Sequence, residues 1–552
     1  MILLHWRICG RRKGASSFGV AMTPALELYQ CSGRRGRLLK PRADMESRQV
    51  VDRASGGRTL QGMLKMSSAS RGLCRNLCGE SGRSVGRAAA VVAAAVLTLT
   101  FACQLAEAVT CQPALSKKTL LRTADPVVIA GENLGPWIGK SIDGIRLFSF
   151  REGQATSIPF QVDQRDSRGN WVWDVVYRER VADPDEGFHT RVTRAPFTCG
   201  AGTVDDQDPA GQALLDPNDL LVFMAEDLGD RAALSQLALD APAILELEVS
   251  DQANATHGWA YLAHYEESPP PACQVRYMRY DPERKTVRSP VYTFSFCDQH
   301  VALIEDLRVK GTPIVERIKI LGEITLSLPL PNRCIRFDEE DIHGYTAGYI
   351  AGPVRVVKRN IASLDIAGGL MSGPEVTCDH FYYPRHAEIP VCLSVGFPVK
   401  EVSILLTTDY RDPPFHSVFL GDAAERVRAY SSDHALHTRS VEFGAEWIAL
   451  DSSDASIISL VAVPDSLQGH AHAQSCLCGA RHLPIRHGTS EGVHPRTGFL
   501  ISSTPECPKG EHTLYGAYLV LDHAYQPGDE DSAVRMWRNP LTVEVSTMSP
   551  VR

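Results

Sequence analysis

The 552-residue chain contains no phosphate-binding loop, no G-x-G-x-x-G fingerprint and no H-E-x-x-H pair. Their absence removes the commonest nucleotide-binding and zinc-hydrolase readings. A G-x-S-x-G pattern occurs at Gly82-Arg83-Ser84-Val85-Gly86, in a basic stretch with no strand before it, where it lacks the context of a nucleophile elbow, and again at Gly488-Thr489-Ser490-Glu491-Gly492. Long amphipathic helices are missing too; one short candidate covers residues 530–538. Basic charge is scarce in most of the chain. The first 108 residues hold 17 Lys and Arg against 6 Asp and Glu, which leaves 40 against 59 in the remainder. A body this acidic argues against nucleic acid as a partner, because phosphate recognition needs clustered cations. A site assembled from distant strands is compatible with all these absences.

What is present begins with an export pattern. The apolar run 88–105 follows Arg83 and Arg87 and exits through Ala106-Glu107-Ala108. Basic flank, apolar middle and small-residue exit read as a secretory signal, with the mature chain starting near Val109. The competing reading is an uncleaved membrane anchor, since the run is about as long as the shortest membrane span. Lipid attachment at Cys103 is disfavoured by the preceding Thr100-Phe101-Ala102. Residues 1–62 are basic and rich in Gly and Ser, as expected of a disordered or non-native leader upstream of a start at Met63 or Met66. The signal region is then 63–108, and the expected location is periplasmic or extracellular. Ten of the fifteen cysteines lie beyond residue 108. An even number in an exported chain predicts disulfides.

Beyond residue 120 short strand signals follow one another. They are read at 126–130, 144–150, 158–162, 171–177, 220–225, 243–249 and 258–262. Further runs lie at 354–358, 402–408, 447–450, 457–463, 516–521 and 541–545. In 243–249, Leu245, Leu247 and Val249 alternate with Glu246 and Glu248, which predicts one face on a core and one in water. Asp281-Pro282-Glu283-Arg284 marks a hairpin, and the echo between 304–311 and 315–322 predicts two adjacent strands. Many short strands with Gly and Pro punctuation predict an all-β fold of mainly antiparallel β-sandwiches with few short helices. The expected division is 109–252 for a first sandwich and 253–552 for a larger β-rich domain.

Two stretches answer each other: Ile158-Pro159-Phe160-Gln161-Val162-Asp163, and Asp219-Leu220-Leu221-Val222-Phe223-Met224-Ala225-Glu226-Asp227. With Gly352-Pro353-Val354-Arg355-Val356-Val357 and Phe381-Tyr382-Tyr383-Pro384-Arg385, they resemble a family of uncharacterised bacterial exported proteins. More remotely, the layout is similar to galactose-mutarotase-like supersandwich proteins, whose better-known members act on carbohydrates. That second resemblance implies a supersandwich in the larger domain.

Three segments could carry chemistry. The acidic loop groups Asp205, Asp206, Asp208, Asp216, Asp219, Glu226 and Asp227. Of these, Asp216, Asp219 and Asp227 are the candidate ligands for calcium, the one cofactor considered, although no EF-hand spacing exists. The bland alternative is turn hydrogen bonding by Asp216 and Asp219. His470, His472, Cys476, Cys478, His482, His487 and His494 could suit zinc or copper, but a disulfide-tied loop fits an exported chain better. In 379–386, His380, Tyr382, Arg385 and His386 are acid–base or carboxylate-holding candidates. The simpler reading of that strand is packing, with Phe381 and Tyr383 toward the core and His380 and Tyr382 outside. The expected function is an exported envelope or extracellular β-sandwich protein with a binding or structural role. The alternative is a carbohydrate-active enzyme of lyase or hydrolase type. Expected partners are a polysaccharide or another envelope component, with membrane contact only through 88–105.

Overall fold

The strand Leu220–Met224 forms the middle of a three-stranded sheet, between Pro126–Ala130 and Gln161–Asp163. Val222 stands opposite Val128 on one side and Gln161 on the other. The two answering stretches of the sequence are therefore antiparallel neighbours. These coordinates come from a computed structural model that describes residues 115–548, apart from internal segments of which 192–212 and 479–495 are the longest.

A five-stranded sheet lies against this one, in the order Gln154–Ser157, Ile145–Arg151, Thr256–His264, Ala243–Asp251 and Thr542–Thr547. Leu245, Leu247 and Val249 face Leu221, Phe223 and Ile129 in a shared core. Each such side chain, fully buried, contributes about 1.5–3 kcal/mol through removal from water. The alternation in Ala243–Asp251 thus points as expected on its core face. The opposite face is not in water. Ile244 packs with Leu237, Trp259 and Tyr261, and the carboxylate of Glu246 is buried in an ion pair with Arg231 at 2.8 Å. The segment 232–241 covers this face, and a covered second face has no period-of-two signature.

Two larger sheets of ten and twelve strands follow. The first runs through Thr312–Leu326, Val399–Tyr410, Arg496–Ser503 and Ala471–Cys478; the second through Ile342–Ala351, Val356–Ile366, Val376–Tyr382, His386–Glu388, Gly510–Leu521 and Ser456–Ala462. Their inner faces share one core, with Phe294, Ile320, Ile404 and Phe499 meeting Val356, Tyr382, Ile457 and Val520. The predicted hairpin exists as Arg279–Asp281 paired with Thr286–Arg288, and the echoed stretches pair as Ile304–Val309 with Thr312–Leu326. The protein is all-β, with antiparallel sheets and few short helices.

The C-terminal helix Asp529–Arg538 has Asp529, Glu530 and Asp531 in its first turn and Arg535 and Arg538 in its last, which complements the helix dipole. Among the described residues, no helix is long and apolar enough to cross a membrane. The expected signal region, 63–108, and the leader, 1–62, lie outside them. No cysteine pair forms a disulfide among the described residues. Cys273 and Cys297 are thiols, and Cys378 donates to the carbonyl of Pro390 at 2.8 Å.

Candidate functional site

Three stretches distant in sequence converge on one guanidinium. Arg355 is 3% exposed and sits at the start of the strand Val356–Ile366. Its Nε donates to Asp163 Oδ2 at 2.7 Å, its Nη2 lies 2.6 Å from the same oxygen in an ion pair, and its Nη1 donates to Tyr383 Oη at 2.8 Å. Gln161 completes the arrangement. Its amide nitrogen donates to Asp163 Oδ1 at 2.6 Å, while its oxygen accepts from the backbone of Val354 and Arg355 at 2.9 and 2.8 Å. Burial works against the Arg355 charge, but Tyr383 and Asp163 more than offset it and keep the group protonated. Breaking such a pair on one side typically costs about 3–5 kcal/mol, because the remaining charge stays buried. This cluster explains why a lone arginine stands inside the apolar run Val354-Arg355-Val356-Val357.

Around it lies a wall of rings and further cations. The Arg355 guanidinium is 5.2 Å from the Phe381 ring centre and 5.7 Å from that of Trp171. Trp171 donates its indole N–H to Asp379 Oδ2 at 2.8 Å, and Arg359 holds the same carboxylate through two bonds of 2.7 and 2.8 Å. Arg165 stacks on Trp171 with 4.0 Å from its guanidinium to the ring centre.

The local sequence explains that position. Asp166 accepts from the backbone of Arg168 and Asn170 at 2.9 and 2.8 Å, and Gly169 adopts φ +79°. This closes the turn, so that Arg165 and Trp171 face each other as a bridge. The Arg165 amide is held by Asp219 Oδ1 at 2.8 Å.

These side chains border a cleft of about 310 Å³. Arg165, Arg355 and Tyr383 supply its polar side together with two carboxylates, Asp125 and Glu388. Pro126, Val128, Leu220, Phe381, Met536 and Leu541 supply an apolar wall. Asp125 is ion-paired with Arg122, yet burial raises its pKa above the ordinary value. Asp125 and Met536 also border a larger groove of about 660 Å³ that runs past Arg122, Arg385 and Asp522.

The expected site residues scatter around this cleft. Arg385 lines the larger groove and pairs with Asp522 at 3.2 Å. His386 is buried, its ring stacked on Tyr383 at 4.4 Å, with Nε2 3.7 Å from Glu388. His380 and Tyr382 do lie together, joined at 3.2 Å between Nδ1 and Oη, but on the opposite side from that expected. Both are fully buried in the large core, whereas Phe381 is the half-buried ring beside Trp171. The packing assignment that put Phe381 inside and His380 and Tyr382 outside is therefore reversed. Polarity misleads here because Asn360 hydrogen-bonds His380 at 3.1 Å and burial holds its imidazole neutral. Lys358 stands opposite His380 in the register and is also fully buried, with its amine 3.4 Å from the Phe296 ring centre.

Asp216 and Asp219 serve a turn. Asp216 Oδ1 accepts from Asn218 N and Asp219 N at 2.7 and 3.0 Å, and Asp219 Oδ2 accepts from Asp216 N at 2.9 Å. Asp227 instead accepts from Tyr277 Oη at 2.8 Å. Among the described residues, no group of three or more His, Cys, Asp or Glu could hold a metal ion. Asp205, Asp206, Asp208, His482, His487 and His494 lie outside them. Sequence reasoning did not single out Asp125, Arg165, Trp171 or Glu388 as site residues. Arg355 and Tyr383 stood inside the quoted motifs, and a charge flanked by valines was the available signal. Nothing local marks Arg165.

No family model matches the chain, and no curated protein matches it. Among solved structures it is similar to an alpha-mannosidase from Enterococcus faecalis V583, at 8% identity and a TM-score of 0.39, over 82% of this chain and 48% of that one. It is also similar to a protein in the glycosyl hydrolase family 38 from Enterococcus faecalis, at 7% identity and a TM-score of 0.38, over 79% of this chain and 46% of that one. The chain thus spans about half the length of each.

Proposed function

We propose that this protein is an exported β-sandwich protein that binds carbohydrate in the cleft between Arg165 and Leu541. The observation that carries the reading is the make-up of that one cleft. Apolar Val128, Phe381 and Leu541 line it together with guanidinium, phenol and carboxylate groups. Sugar rings present the same division, an apolar C–H face and a polar edge. The cleft's volume falls within the range of small-ligand sites, which combine apolar lining with a few placed polar groups. A screen of the purified protein against a panel of polysaccharides tests it, with both retention and product release followed. Retention that is lost on Phe381→Ala, with the fold intact by circular dichroism, is the expected result. Absence of retention on every polysaccharide would sink the reading.

A second reading, a carbohydrate-active enzyme, is favoured by one observation. Two carboxylates border the same cleft, and burial raises the pKa of Asp125 as a general acid requires. Product release abolished by Asp125→Asn or Glu388→Gln, with retention kept, would select it. Retention without product would select the binding role.

A further inference from the structure

We propose that Arg165 makes this cleft selective for acidic saccharides, chains whose sugars carry a carboxylate. The inference rests on the carbohydrate reading above and adds the class of sugar.

The other cations near the site are already committed. Arg355 is held by Asp163 and Tyr383, Arg359 by both oxygens of Asp379, and Arg122 by Asp125. Arg165 differs. Among the described residues its side chain forms no ion pair, and its Nε is shielded from solvent without a hydrogen-bond partner. Its guanidinium stacks on the Trp171 ring. Burial and the neighbouring Arg355 press against its charge, with Asp379 and Asp163 offsetting them only in part. An arginine on a mobile surface chain would turn such a group to water. Here the backbone is pinned by Asp219 and by the bridge to Trp171, and the guanidinium is stacked, so it is presented to the cleft in a prepared position.

A planar guanidinium with unused donors fits a carboxylate in a two-point contact that a neutral hydroxyl cannot match. The carboxylates that border the same cleft, Asp125 and Glu388, suit the hydroxyls of the same sugar, because they accept hydrogen bonds and repel a second acid group. Selection against neutral sugars then follows from leaving the Arg165 charge unanswered.

The test uses oligomers of galacturonate, glucuronate and mannuronate, each beside its methyl ester, in calorimetric titrations of the full chain. The acid form of at least one oligomer should bind tenfold or more tightly than its ester, the scale of a charge-assisted hydrogen bond. Its affinity should fall as salt rises. Arg165→Gln should remove that preference by weakening acid binding far more than ester binding, and Arg165→Lys should restore part of it. Acid and ester binding equally, with Arg165→Gln changing neither, would overturn the charge selection and leave the carbohydrate reading standing. Binding only of neutral saccharides from the polysaccharide panel would do the same. Binding of no saccharide in either set would overturn both.

Discussion

Asp227 shows how one buried carboxylate can shape stability. Removal from water raises its pKa from 3.8 to about 6, although the Tyr277 hydroxyl works the other way. The folded protein therefore holds a proton that the unfolded chain has released between those two values. Stability from this group is complete below about pH 4 and is lost as pH rises through about 6. Urea unfolding at pH 4 and pH 7.5 should find Asp227→Asn gaining on the parent by about 1–3 kcal/mol at the higher pH and by much less at the lower. A variant shifted by the same amount at both values would mean that folding does not raise the Asp227 pKa. Asp219, eight residues earlier, has both oxygens taken by backbone donors. Two aspartates of one short motif thus meet opposite surroundings, which no reading of spacing distinguishes.

At the scale of elements, the turn 163–170 sets the position of Arg165. Gly169 sits at φ +79° with open space where a side chain would project, so a substitution there meets only backbone strain. Gly169→Ala should cost about 1–2 kcal/mol, and Gly169→Asn clearly less, since asparagine tolerates the left-handed region. Thermal denaturation of the three proteins checks the order. If alanine and glycine melt alike, the turn is not held as described. Strand positions were legible in the sequence because period-of-two alternation and Gly or Pro punctuation are local. The start of Ala243–Asp251 and the helix Asp529–Arg538 were readable for that reason. The inward face of Val376–Tyr382 was not, because both its faces are covered and His380 Nδ1 bonds a partner twenty residues away. The Asp163–Arg355 pair was no more legible, since its partners lie 192 residues apart. The motifs were visible as motifs, but only folding brings them to a single guanidinium.

The whole molecule is closed by its end. Thr542–Thr547 completes the five-stranded sheet by pairing along Ala243–Asp251, roughly three hundred residues earlier, with Val543 opposite Val249 and Val545 opposite Leu247. Val543 and Val545 pack against the core of that sheet, and Leu541 borders the cleft. The C-terminal segment therefore does two things: it covers a sheet edge, and it supplies one wall of the candidate site. Deleting residues 541–552 would expose the backbone donors and acceptors of Ala243–Asp251 as a free edge, a template for association. The truncated protein should melt at a lower temperature, exchange its amides in Ala243–Asp251 faster, and form larger species on sizing. It should also bind saccharide more weakly than the full chain under conditions where both are folded. Unchanged melting and exchange would show that the last strand is dispensable to the sheet. Unchanged binding alone would show that the cleft does not need Leu541, and that its apolar wall rests on Val128, Phe381 and Met536.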